Sequence, residues 1–169
     1  MTQRLNAVEA AAFGQLMTLV GDWKGTSPTG RELSVSYRMV ANDTVLVETW
    51  TLAPGKQALT LYHMDDRQLI ATHYCPLGNQ PRLVLERTPA PGRFEFGFRG
   101  ATNLQATTEA HQDSFWIELQ GPDAMSRSET YCEAGVSETE AVAYARVVAE
   151  PFQISRETHK ASPAPATRS

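Results

Sequence analysis

Alternation with a period of two, running from Glu32 to Val148 and broken only by short turns, restricts this chain most. In "ELSVSYRMV", Leu33, Val35, Tyr37 and Met39 alternate with Ser34, Ser36 and Arg38. That is the pattern of a strand with one buried face. "TVLVETWTL" follows the turn residues Asn42 and Asp43. "QALTLYHM" and "QLIATHYC" flank Asp65-Asp66-Arg67, and "RLVLER" and "RFEFGFRG" flank Pro89-Ala90-Pro91-Gly92. "SFWIEL" and "MSRSETYCE" flank Gly121-Pro122-Asp123, and "ETEAVAYARVV" closes the series before Pro151. Evenly spaced strands joined by tight turns predict a mainly β fold, an antiparallel up-and-down barrel of about 8–10 strands. Closure is preferred to a two-sheet sandwich because open edges would leave a row of unpaired amides.

The first element differs. Leu5, Val8, Ala12, Phe13, Leu16, Leu19 and Val20 recur at helical spacing, which predicts a helix over about 6–20 that caps one end of the barrel. Asn6 would be its N-cap with Glu9 reaching back, and Gly21 its stop. Residues 1–154 are read as one barrel domain. Residues 155–169, ending "KASPAPATRS", are read as a disordered tail. Fifteen Lys plus Arg against nineteen Asp plus Glu give a formal charge of −4, so no nucleic-acid partner is expected. No apolar run long enough to span a membrane, and no export signal, is seen, so no membrane partner and a cytoplasmic location are expected. Cys75 and Cys132 fit no zinc or redox spacing and are read as reduced side chains.

"GDW", Gly21 to Trp23, falls between the helix and the first strand. A Gly-x-Trp at that place resembles the signature of lipocalin-type barrels of the calycin superfamily. The resemblance implies that Trp23 plugs the closed end and that an arginine of a late strand stacks on it, for which Arg146 is the candidate. "GDWKG", "HYCPLGNQPR" and "TNL" together are similar to small bacterial lipocalin-like barrels. Haem-binding barrels such as nitrobindin ligate iron through a late histidine. Here the late histidine is His159, in the tail, so no cofactor is expected.

The richest segment chemically is "THYCPLGNQPR", Thr72 to Arg82. Strand alternation puts His73 and Cys75 on one face and Thr72 and Tyr74 on the other. The register of the Asp65-Asp66 hairpin decides whether His63 joins His73, because a one-residue slip exchanges the faces. A three-residue loop is favoured, since it joins Leu59, Leu61, Leu69 and Ala71 into one apolar surface shared by both histidines. Pro76 and Pro81 stiffen a turn that presents Asn79, Gln80 and Arg82 at a barrel rim. Asn103 and His111, in the longest internal loop, are weaker members of that rim. Glu48, Glu86, Glu118 and Glu129 are read as solvated or paired with the abundant arginines.

The expected ligand-binding set is therefore His63, His73, Tyr74, Asn79, Gln80, Arg82, Asn103 and His111, around a cavity for a small hydrophobic or amphipathic molecule. Two alternatives stay open. One is a cofactor-free enzyme using histidine acid–base chemistry with no catalytic residue assigned. The other is haem or metal binding through His63, His73 or His111. No histidine pair has metal-site spacing, and a homodimer is left open.

Overall fold

A computed structural model of the protein describes residues 2–53 and 56–148. The expected tail, residues 155–169, lies outside them, as does His159. Helix α1, Thr2–Leu16, runs through a short 3-10 turn at Met17–Leu19 into ten strands. These are β1 (Gly21–Thr26), β2 (Glu32–Val40), β3 (Val45–Ala53), β4 (Lys56–Asp65) and β5 (Gln68–Tyr74). They continue as β6 (Gln80–Arg87), β7 (Arg93–Thr102), β8 (His111–Leu119), β9 (Ala124–Glu133) and β10 (Val136–Arg146). Each strand pairs antiparallel with its sequence neighbour, and β1 pairs with β10, so the sheet is a closed barrel.

The interior face is the one that alternation marks. Leu33, Val35 and Tyr37 of β2, Phe94 and Phe96 of β7, and Phe115 and Ile117 of β8 are all buried in one core. Phe96 stacks on Phe115 with centroids 4.6 Å apart, and Tyr62 meets both edge-on. Such pairs add to the burial of apolar area.

The start of the chain differs from expectation in two details. Residue 6 lies inside α1 rather than at its start, and the Glu9 carboxylate accepts from the backbone N–H of Leu69 in β5. Glu9 thus ties the helix to the barrel instead of capping it. The helical stretch ends at Leu19, and Gly21 already belongs to β1. Glycine is required there for another reason. Its φ is +141°, and a Cβ would sit 2.5 Å from Nη1 of Arg146.

Arg146 is fixed in that position. Trp23 and Arg146 are direct partners across the β1–β10 closure, and the guanidinium carbon lies 4.3 Å from the Trp23 ring centroid. The same guanidinium donates to the carbonyls of Val20 (2.7 Å), Thr18 (2.9 Å) and Pro122 (2.9 Å). Trp23 donates its own Nε1–H to the carbonyl of Leu19 at 2.8 Å. One end of the barrel is therefore plugged by an indole, clamped by a cation, and bound to the helix-to-strand connection.

The β4–β5 hairpin takes neither register weighed from the sequence. Asp65 opposes Gln68 and Met64 opposes Leu69, leaving Asp66-Arg67 as a two-residue loop with Asp66 at φ +53°. That left-handed conformation suits the tight hairpin turn and is tolerated by aspartate. Thr60 now faces His73 and Tyr62 faces Ala71. Ala58, Thr60 and Tyr62 point inward and are buried, while Leu59, Leu61 and His63 are only half-buried. Both faces of β4 carry apolar residues, so its own sequence does not fix its parity.

Replacing Trp23 by Ala is expected to cost about 3–5 kcal/mol, and Arg146→Ala about 1–3 kcal/mol through the lost stacking and carbonyl contacts. Urea unfolding measures both. An Arg146→Ala loss below about 0.5 kcal/mol would show that the clamp does not hold this end.

Candidate functional site

Glu48 stands in the apolar phase of β3, between Leu46 and Trp50, and is fully buried. A carboxylate in that position must have its oxygens satisfied. Tyr37 and Tyr62 donate their hydroxyls to Oε2 at 2.8 and 2.7 Å. Trp50 Nε1 and Arg127 Nη2 donate to Oε1 at 2.7 and 3.0 Å. Arg127 is as deeply buried as its partner. Its guanidinium lies 4.5 Å from the Phe115 ring centroid and 5.3 Å from that of Trp50.

Arg127 Nη2 also donates to Glu129 Oε1 at 3.1 Å, and Gln112 Nε2 donates to the same oxygen at 3.3 Å. Burial pushes the Glu129 carboxyl above the usual carboxylate range, with Glu48 and Glu140 adding to the shift and Arg127 opposing it. Burial also pushes the Tyr37 and Tyr62 hydroxyls up, and the charge of Glu48 adds to that. Burial alone would lower the Arg127 guanidinium, but Glu48, Tyr62 and Glu129 hold it above its ordinary value. Among the described residues, Nε and Nη1 of Arg127 and Oε1 of Gln112 have no hydrogen-bond partner.

Beside this cluster, toward the end opposite the Trp23 plug, lies a cavity of about 370 Å³. Arg127 and Glu129 border it with Trp50, Ala58, Val142 and Tyr144, and Leu52, Leu77 and Arg31 stand at its opening. Leu52 and Leu77 are exposed. Cavities that hold small molecules run from about 300 to 1,000 Å³ and are mostly apolar with a few polar groups, so this one lies at the small end.

His73 is the one member of the expected binding set on the cavity wall. Its Nδ1 lies 3.0 Å from Thr60 Oγ1, and its Nε2 lies 3.3 Å from the Tyr131 hydroxyl. Burial lowers its pKa to about 4, with Arg127 adding to the effect and Glu48 opposing it. The ring is therefore neutral at pH 7. Cys75 also borders the cavity, with Sγ 4.0 Å from the Tyr131 hydroxyl. Burial pushes that thiol up, away from a reactive thiolate.

The remaining expected residues lie elsewhere. His63 and Arg82 border a hollow with Thr72, and not the cavity, because the two-residue hairpin puts the parity of Thr72 outward. Arg82 pairs there with Asp65 at 2.8 Å. Tyr74, next to the inward His73, is exposed. Asn79 is buried and donates to the Ala110 carbonyl at 2.8 Å, tying the β5–β6 turn to the loop before β8. Gln80 and Asn103 bond each other at 3.1 Å on the surface of those same loops. His111 is buried against Phe98, with Nδ1 2.7 Å from the Glu109 carbonyl. The proline-braced turn thus joins loops, Asn79 through the Ala110 carbonyl and Gln80 through Asn103. His63, His73 and His111 do not converge. No group of three or more His, Cys, Asp or Glu side chains among the described residues is placed to hold a metal ion.

Fold and site together define a closed ten-strand antiparallel barrel with a charged cluster in its interior and a cavity beside it. No family model matches the sequence, and no curated protein matches it. Among solved structures, the chain is similar to Rv2717c from M. tuberculosis, with TM-score 0.54 and 18% identity, covering 81% of this chain and 98% of that one. It is also similar to a protein of unknown function of the DUF3598 family from Nostoc punctiforme, with TM-score 0.51 and 12% identity, covering 78% of this chain. The match spans about half of the Nostoc protein, 49% of its length. At such identities the likeness is one of fold.

Two outcomes are expected. Glu48→Gln or Arg127→Met alone, by leaving a buried partner uncompensated, should destabilise by about 3–5 kcal/mol, and the double variant by less than the sum of the two. Additive losses in urea unfolding would contradict the coupling. The second concerns His73, whose folded pKa lies below its unfolded value of about 6.5. The unfolded chain then binds the extra proton as pH falls from about 6.5 towards 4. Stability should drop across that window by up to roughly 3 kcal/mol. The raised Glu129 carboxyl works with the opposite sign above the usual carboxylate range, so the comparison is wild type against His73→Gln. Parallel pH–stability curves for the two would contradict the assignment.

Proposed function

We propose that this protein binds a small amphipathic molecule in the cavity at the open end of the barrel. The observation that carries the reading is a cavity of about 370 Å³ whose border joins apolar side chains to a few polar ones. Leu33, Ala58 and Val142 offer an apolar surface for a hydrocarbon body. Glu129 and Tyr131 offer polar contacts for a head group. The Gly-x-Trp start and the Arg146 clamp on Trp23 support placing the barrel in the lipocalin-like calycin group.

A second reading, a cofactor-free enzyme, draws on His73, whose neutral ring borders the cavity and could accept a proton. Thr60 and Tyr131 occupy both of its nitrogens, so binding is the favoured reading.

Nile red, an uncharged dye whose emission rises in apolar surroundings, tests the cavity directly. The wild-type protein should enhance its fluorescence saturably. Ala58→Trp, which fills the cavity from β4, should weaken binding at least about tenfold, or ~1.4 kcal/mol, while circular dichroism stays that of a barrel. Equal dye binding by both proteins would sink the proposal.

A further inference from the structure

The barrel closes over only part of its last strand. β1 and β10 oppose each other at Trp23–Arg146, Lys24–Ala145 and Gly25–Tyr144, whereas β10 begins at Val136 and pairs with β9 along its length. β1 ends at Thr26, so Val136–Ala141 has no strand on that side, and these six residues are exposed. Backbone direction shows which groups are left. The Arg146 N–H donates to the Asp123 carbonyl, on the β9 side, and the Val147 N–H to the Asp22 carbonyl in β1. Successive residues of a strand point their N–H and C=O groups to opposite sides, and the register between β9 and β10 is unbroken. Even-numbered residues of β10 therefore bond β9, and Ser137, Thr139 and Ala141 present their N–H and C=O groups to the open side.

Such an edge is a template for another strand. Its charge decides which. Glu138 and Glu140 alternate with the three edge residues and share the inner face of β10 with Val142 and Tyr144. Glu129 stands directly opposite Glu140 on β9 and adds to the negative charge. Arg31, itself exposed, lies 4.0 Å from Glu140. A second copy of β10 laid antiparallel over the middle of this edge would set glutamate against glutamate, which is unfavourable. A strand with cations at alternate positions would instead meet both carboxylates on one face while its backbone bonds the open groups.

We propose that the open edge of β10 docks an extended segment of a partner protein carrying Lys or Arg at alternate positions, added as a strand beside Ser137, Thr139 and Ala141. Main-chain hydrogen bonds hold the segment, and Glu138 and Glu140 select its charge. This interaction goes beyond the ligand-binding role and does not depend on it.

Amide hydrogen exchange, read by NMR on the full chain, tests this. In the free protein the N–H groups of Ser137, Thr139 and Ala141 should exchange faster than those of Glu138 and Glu140, which bond β9. The acetylated and amidated peptide Thr-Lys-Val-Lys-Val-Thr should slow the first three at least about tenfold, or ~1.4 kcal/mol. Its acidic counterpart, Thr-Glu-Val-Glu-Val-Thr, should not. Glu138→Gln together with Glu140→Gln should remove most of the slowing by the basic peptide. Edge amides already protected in the free protein, no slowing at millimolar basic peptide, or equal slowing by the acidic one would overturn the proposal. So would a doubled mass in sedimentation that Glu138→Gln with Glu140→Gln strengthens, since a second copy would then hold the edge.

Discussion

Glu48 and Arg127 form an ion pair inside the barrel, both side chains fully buried, and the interior is arranged around it. Two charges removed from water are tolerated when surrounding hydrogen bonds answer them. The donors come from across the sheet: Tyr37 on β2, Trp50 on β3, Tyr62 on β4 and Arg127 itself on β9. A single carboxylate thus holds four strands to one register. Slipping any of them by one residue would turn a donor outward and strand the charge.

The two ends of the barrel are filled differently. At one end, Trp23 fills the opening, and Arg146 binds the ring face and three carbonyls. At the other, Ala58 and Val142 stand beside Trp50 and Tyr144, and space remains. Close packing usually leaves few voids larger than a water molecule. A space of about 370 Å³ next to a buried guanidinium with two unpartnered nitrogens is a departure from that norm. Departures from local rules gather where proteins bind or react.

The architecture was legible because alternation, turn residues and the position of Gly21-Asp22-Trp23 all pointed to one closed meander. The candidate site was much less so. Polar residues crowd together in sequence at Thr72–Arg82, whereas the buried cluster draws on residues as far apart as Glu48 and Arg127. A signal for it did exist. Glu48 shares a strand face with Leu46 and Trp50, and Arg127 shares one with Met125, so each places a charge in the apolar phase of its strand. The parity of β4 could not be had from its own residues, since Leu59 and Leu61 compete with Ala58 and Tyr62 for the interior. Only the Asp66-Arg67 turn decides it, and that decision sends His73 inward and His63 outward.

The account stands most directly on what occupies the space beside Arg127. A crystal structure of the protein grown with decanamide would answer it. The amide is expected in the cavity, its alkyl chain against Leu33, Ala58 and Val142 and its head within reach of Glu129 or Tyr131. A cavity filled only by water under saturating decanamide, or an amide bound on the outer face near His63 and Arg82, would contradict the account.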